Sequence, residues 1–315
     1  MLAVAGCGTA SRPTPKKPVL WPGSAATHPG RGPSRLAIAT DTAVLPLNLL
    51  IAEADGRLVS ISPHGQVVWG ERQRDPAAVF VSATGRTEIV TESLAGIVVL
   101  RRIDSGAIAS VYRAPLLQDP RTAVENSAGE VVIADAGACS LDFVRQGAHR
   151  ASHVMHWPAG RGCPQAVIAA DGRLVVTLKR PDAVAVLALG GAQLAYVSLH
   201  GIAAPSDAGA YGAGGLIVAD RVKPGRVAEI DGRSGAVVWS YGPRAGSGEL
   251  NRPTLATVLP DGDVLVVDSG NSRVIVLDHA TKRIVWQYGH AGIAASRPGY
   301  LDEPTTATLV PFGGI

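Results

Sequence analysis

One block of residues recurs along this chain, and that recurrence restricts the fold more than any other feature. Its clearest copy is Val264–Asp268, a four-residue turn, Arg273–Asp278, a second turn, and Arg283–Tyr288. Leu216–Asp220, Arg226–Asp231 and Ala236–Trp239 repeat it, as do Leu49–Glu53, Arg57–Ile61 and Gln66–Trp69. Weaker copies run over 89–112, 132–155 and 175–198. Aligning the last strand of each block on Trp69, Tyr112, Met155, Val197, Trp239 and Trp286 gives spacings of 43, 43, 42, 42 and 47. A further strand precedes each block, most clearly at Thr254–Leu259 before the Pro260-Asp261-Gly262 turn. Four short strands at a near-constant period predict a propeller blade, and a blade must pack against neighbours on both faces. The expected fold is therefore all-β: a six-bladed β-propeller of four-stranded antiparallel blades over residues 34–315. Pro304–Pro311 repeats Pro253–Pro260 with no blade after it. It is expected to close the ring by completing blade one, which removes the open edges.

Composition agrees with a large packed core. Hydrophobic residues make up 46% and charged residues 17%, with 37 Gly and 22 Pro to serve turns. Disordered, collagen-like and coiled-coil chains are excluded. The net charge is +3 and the basic residues are scattered, which argues against a nucleic-acid partner. Residues 183–206 carry no charge, but Gly190-Gly191 interrupts them with alternation on either side. That pattern predicts a hairpin rather than a membrane-spanning helix.

The segment Leu2-Ala3-Val4-Ala5-Gly6-Cys7 resembles the lipobox of bacterial lipoproteins, whose Cys is lipidated after cleavage. It lacks the basic front and has only five apolar residues, so residues 1–7 are expected to be the remnant of an export signal that starts further upstream. Residues 8–33 hold six prolines and no hydrophobic period. They are expected to be a spacer of roughly 30 Å between a lipidated Cys7 and the propeller. The protein is thus expected to be extracytoplasmic and to meet the membrane through Cys7 alone.

Two local motifs carry a family resemblance. Asp268-Ser269-Gly270-Asn271-Ser272-Arg273-Val274 resembles the NHL repeat, while 55–69 and 225–239 resemble the PQQ-type repeat. The chain resembles secreted or lipid-anchored bacterial propellers with mixed NHL-like and PQQ-like repeats, over residues 45–311. The resemblance implies the fold. It does not imply the quinone, because the dehydrogenases concerned carry a dedicated calcium and quinone site in a larger propeller. No cofactor is expected.

Candidate site residues fall into three groups. Glu53, Glu92, Asp135, Asp220 and Asp268 end equivalent strands, with Leu178 breaking the series. They are expected to cap turns by accepting backbone N–H bonds rather than to ring a metal. Cys139 and Cys163 form an even pair once Cys7 is lipidated, and a disulfide is expected. The connections between blades should gather on one face. The longest ones, with 156–164, bring Trp157, Arg161, Tyr241, Arg244, Glu249, Arg252, His290, Arg297, Tyr300, Asp302 and Glu303 to that face. Aromatic and arginine side chains on scaffolded loops suit recognition.

Hydrolase, zinc-protease, thiol-redox and phosphate-loop motifs are absent from the sequence. The expected function is a non-catalytic binding or scaffold propeller that presents its loop face to an envelope protein or an extracellular ligand. The competing expectation is a metal-dependent hydrolase or lyase of the lactonase kind. A quinone-dependent redox protein ranks after both.

Overall fold

A computed structural model describes residues 45–82, 84–113, 117–242 and 248–310. Twenty-four strands form six four-stranded antiparallel sheets. Blade one contains β1 (Asn48–Glu53), β2 (Arg57–Ile61) and β3 (Val67–Arg72). Blade two is β4 (Pro76–Val81), β5 (Thr87–Glu92), β6 (Ile97–Arg102) and β7 (Ile108–Tyr112). Blade three is β8 (Pro120–Glu125), β9 (Glu130–Asp135), β10 (Ser140–Arg145) and β11 (His153–His156). Blade four is β12 (Cys163–Ala170), β13 (Arg173–Lys179), β14 (Ala183–Ala188) and β15 (Gln193–Ser198). Blade five is β16 (Pro205–Tyr211), β17 (Gly215–Asp220), β18 (Arg226–Asp231) and β19 (Val237–Tyr241). Blade six is β20 (Leu255–Val258), β21 (Val264–Asp268), β22 (Arg273–Asp278) and β23 (Arg283–Gly289). The last strand, β24 (Pro304–Val310), pairs with β1 from Asn48↔Val310 to Glu53↔Pro304 and completes blade one. The ring is closed as expected.

The middle strands are largely buried on both faces, and several read as unbroken apolar runs, such as Leu-Ile-Val-Ala in β17 and Val-Leu-Val-Val in β21. A proline stands at or within two residues of the head of every innermost strand: Pro76, Pro120, Pro164, Pro205, Pro253 and Pro304. Proline suits the first position of an innermost strand, where no ladder hydrogen bond is lost.

Neighbouring innermost strands are stitched together by side chains. Val79 N–H donates to Thr306 Oγ1 and Val167 N–H to Thr122 Oγ1, both at 2.8 Å. Asp207 takes the same role towards Ala256. The stitches thus alternate, joining blades one to two, three to four and five to six. The cross-strand partners of Thr306, Thr122 and Asp207 are Ala52, Ala134 and Ala219. In blades two and four the pair is reversed, with Ala78 opposite Thr91 and Ala166 opposite Thr177. One larger and one smaller side chain fill the position in each of these five blades, as close packing requires.

The register corrects one alignment from the sequence. Tyr112 faces Val98, as Tyr241 faces Val227 and Tyr288 faces Val274. Tyr112, Met155 and Val197 therefore match Tyr241 and Tyr288, whereas Trp69, Trp239 and Trp286 match Ser110, His153 and Ala195. A slip of two residues keeps every side chain on its own face of the sheet, so alternation alone cannot detect it.

Candidate functional site

The strand-end acids fasten the described loops of this face to the blades. Asp268 and Arg273 are direct cross-strand partners, both fully buried, with Arg273 Nε donating to Asp268 Oδ2 at 2.8 Å. Asp268 also accepts from Asn251 N–H at 2.7 Å, and Arg273 donates to Glu249 O at 3.0 Å. Acid and base together clamp the loop that delivers the chain to its innermost strand. Asp220 and Arg226 do the same, with Asp220 accepting from Ala203 and Ala204 and Arg226 donating to Gly201 O. Glu53 and Arg57 hold the loop that closes the ring, through Asp302 N–H (3.1 Å) and Tyr300 O (2.7 Å). Burial pushes the Glu53 carboxyl up to about 7, against the pull of Arg57. Burial likewise raises Asp268, opposed by the Asn251 amide, Asn271 and Arg273.

Asp135 works without an arginine. It accepts from Gln118, Asp119, Gly137 and Ala138 N–H, so it binds both its own turn and the incoming loop. Glu92 is buried at the matching position, where burial raises its carboxyl and Arg74 and Arg113 oppose the shift. Blade four has Leu178 in place of an acid. There a Cys139–Cys163 disulfide ties the head of β12 to the β9–β10 turn of blade three. A covalent link thus stands where the other blades use a carboxylate. The arginines of the clamps went unassigned in the sequence, although Arg57, Arg226 and Arg273 open the same strand in its three clearest repeats.

The structure divides the expected recognition residues. Trp157 and Tyr241 are 7% and 3% exposed and belong to the core, so they offer no surface to a partner. The Tyr241 hydroxyl donates to Gly248 O at 2.9 Å. Arg161 lies over the Tyr196 ring at 4.6 Å, on the connection between blades three and four. Arg244 and Cys7 lie outside the described residues. His290, Arg297 and Tyr300 come together: the Tyr300 ring is 4.2 Å from His290 and 4.0 Å from the Arg297 guanidinium carbon. Ile293, on the same loop, is exposed. Asp302 contributes through its backbone N–H, as described above.

Beside this cluster, charged residues surround the mouth of the central channel. Arg121 follows Pro120 and donates to Asp119 at 2.6 Å. Arg252 precedes Pro253 and reaches Glu303, beside Pro304, at 2.8 Å. Arg252 N–H donates to Val222 O at 2.9 Å, which places Arg252 beside Arg221. Burial, then the Arg252 and Arg121 cations, lower the pKa of Arg221, while Glu303 opposes them. Three arginines from blades three, five and six therefore share one cationic field at the channel mouth.

On the opposite face, Tyr211, Glu229, Trp239, His279 and Lys282 strap blade five to blade six. His279 stacks on Trp239 at 4.6 Å, and its Nε2 lies 3.2 Å from Tyr211 Oη and 3.4 Å from Glu229 Oε2. Among the described residues, no group of three or more His, Cys, Asp or Glu side chains is arranged to hold a metal ion. No described helix is long and apolar enough to cross a membrane.

Residues 79–288 and 223–305 match the repeat-family model described as outer membrane protein assembly factor BamB. No curated protein matches the chain in sequence. Among solved structures, a Bacteroides caccae protein of unknown function aligns with a TM-score of 0.64 and 16% identity, covering 85% of this chain and 100% of that one. Virginiamycin B lyase from Staphylococcus aureus aligns at 0.57 and 14%, covering 77% and 84%. Kuenenia stuttgartiensis hydrazine synthase aligns at 0.56 and 14%, covering 73% and 76%. At these identities the likeness is one of fold.

Proposed function

The chain belongs to the repeat family described as outer membrane protein assembly factor BamB, and from that premise we propose that it is a non-catalytic binding and scaffold propeller of the bacterial envelope. Its loop face receives an envelope protein, and lipidated Cys7 with the 8–33 spacer holds it at the membrane. The observation that carries this reading is the Tyr300 cluster. An aromatic ring, an arginine, a histidine and an exposed isoleucine sit on one loop, whose backbone is pinned to blade one by Arg57 and Glu53. Binding surfaces of this composition, ordered before the partner arrives, lose little entropy on association.

The test is an Arg297→Ala, Tyr300→Ala double variant of the full-length native protein, compared with wild type after mild crosslinking of intact cells. The reading expects a discrete crosslinked species to disappear from the variant while its thermal midpoint stays unchanged. An identical crosslinking pattern for both proteins contradicts it. The anchor is tested separately. Cys7→Ser is expected to move the protein from the membrane to the soluble fraction, and an unchanged partition contradicts lipidation.

A further inference from the structure

The mouth of the central channel carries its charges unevenly. Two positions recur there in every blade: the residue before the proline that heads the innermost strand, and the residue after the strand-end acid. In blades one, two and three the first position holds Glu303, Asp75 and Asp119, and the second holds Ala54, Ser93 and Ala136. In blades four, five and six the first holds Cys163, Ala204 and Arg252, and the second holds Lys179, Arg221 and Ser269. Acids thus gather on one half of the mouth and cations on the other.

The acids are already engaged. Asp119 accepts from Arg121 at 2.6 Å and from Ser93 Oγ at 2.6 Å, Glu303 from Arg252 at 2.8 Å, and Asp75 from Leu94 N–H at 3.1 Å. Arg221 and Lys179 make no side-chain hydrogen bond or ion pair among the described residues. The charges that act on Arg221 are the Arg252 and Arg121 cations and, against them, Glu303. With Arg221 itself that is three cations to one acid, and no group of the chain neutralises the excess.

The backbone brings these cations together. Arg252 N–H donates to Val222 O at 2.9 Å, beside Arg221. Arg121 stands at a β-bulge, out of the ladder between Pro120 and Thr122, and from blade three its charge reaches Arg221 in blade five. Further along the channel, Phe80 enters neither wedge of its own blade. It packs against the cluster of blades one and six and against that of blades three and four, so its ring turns towards the axis and narrows the channel. The space at the mouth is therefore suited to a small ligand.

We propose that the basic half of the channel mouth is a binding site for a small doubly charged oxyanion of the phosphate type, held by Arg221 with Arg252 and Arg121 beside it. Guanidinium forks match phosphate oxygens, and the anion relieves the repulsion among the three cations. The site uses none of the Tyr300 cluster, so it stands or falls separately from the scaffold role.

The probe is inorganic phosphate, titrated calorimetrically into the full chain at pH about 8, where the ion is doubly charged, with chloride holding the ionic strength constant. Saturable 1:1 binding is expected, tighter than about 1 mM. Arg221→Gln is expected to weaken it at least about tenfold, since a hydrogen-bonded contact to a charged group is worth about that factor. Its thermal midpoint without phosphate is expected to be no lower than that of wild type, because Arg221 faces more cations than acids. Glu303→Gln, which removes the opposing acid and releases Arg252, is expected to bind phosphate more tightly. Arg283→Gln, an exposed arginine of β23, is the control and is expected to bind like wild type. Absence of saturable binding, an Arg221→Gln protein that binds like wild type, a Glu303→Gln protein that binds more weakly, or an equal loss in Arg283→Gln overturns the proposal.

Discussion

Asp268 and Arg273 face one another across β21 and β22 as a fully buried ion pair that also grips the loop entering blade six. Removing Asp268 takes from the buried Arg273 guanidinium the carboxylate it faces across the strands. Asp268→Ala is therefore expected to cost about 3–5 kcal/mol, read as a fall in the denaturant midpoint. Exchanging both residues for apolar ones of similar volume is expected to cost less than the single change. A single variant as stable as wild type contradicts the clamp.

Blade four replaces its acid clamp with the Cys139–Cys163 link, which closes a loop of 24 residues' separation. Cys139→Ser with Cys163→Ser is expected to lose roughly 3 kcal/mol, and wild type under reducing conditions to lose the same amount. Matching midpoints with and without reductant contradict this.

Asp207 is the one acid among the inner-strand stitches. It is buried where Thr122 and Thr306 occur in other blades, and one of its oxygens lacks a partner among the described residues. Burial pushes its carboxyl up to about 7. The folded state therefore holds its proton more tightly than the unfolded chain does. The stability this provides is complete below the unfolded value near 3.8 and is lost as pH rises through about 7. The loss is on the order of 4 kcal/mol for this group. Glu53 and Glu88, also raised to about 7 by burial, add in the same direction. Asp207→Thr is expected to be clearly more stable than wild type at pH 8 and little different at pH 4, by denaturant titration at each pH. Parallel profiles for the two proteins contradict the assignment.

The fold was legible because a propeller repeats its hydrophobic pattern at a fixed period, and a closing strand copies an earlier one. The register was less so, as Tyr112 illustrates: a shift of two residues leaves the inward and outward sets unchanged. The acids were legible as a series, but the arginines that complete the clamps were not. Arg57, Arg226 and Arg273 open their strands in only three blades, and sequence shows no distance between acid and base. Trp157 and Tyr241 were assigned to the loop face because they neighbour long connections. In the structure both turn inward, since a large ring at the end of an outer strand has more apolar surface to cover on the next blade than on the loop.

The claim that the loop face is the binding face can be tested by placing a photo-crosslinking amino acid at single positions of the full-length protein in living cells. The positions are Tyr300 and Ile293 on the loop face, Val238 on the outer rim and His279 on the opposite face. The account expects discrete crosslinked species from Tyr300 and Ile293 and none from Val238 or His279. Crosslinks from the rim or the opposite face, with none from Tyr300 or Ile293, contradict it.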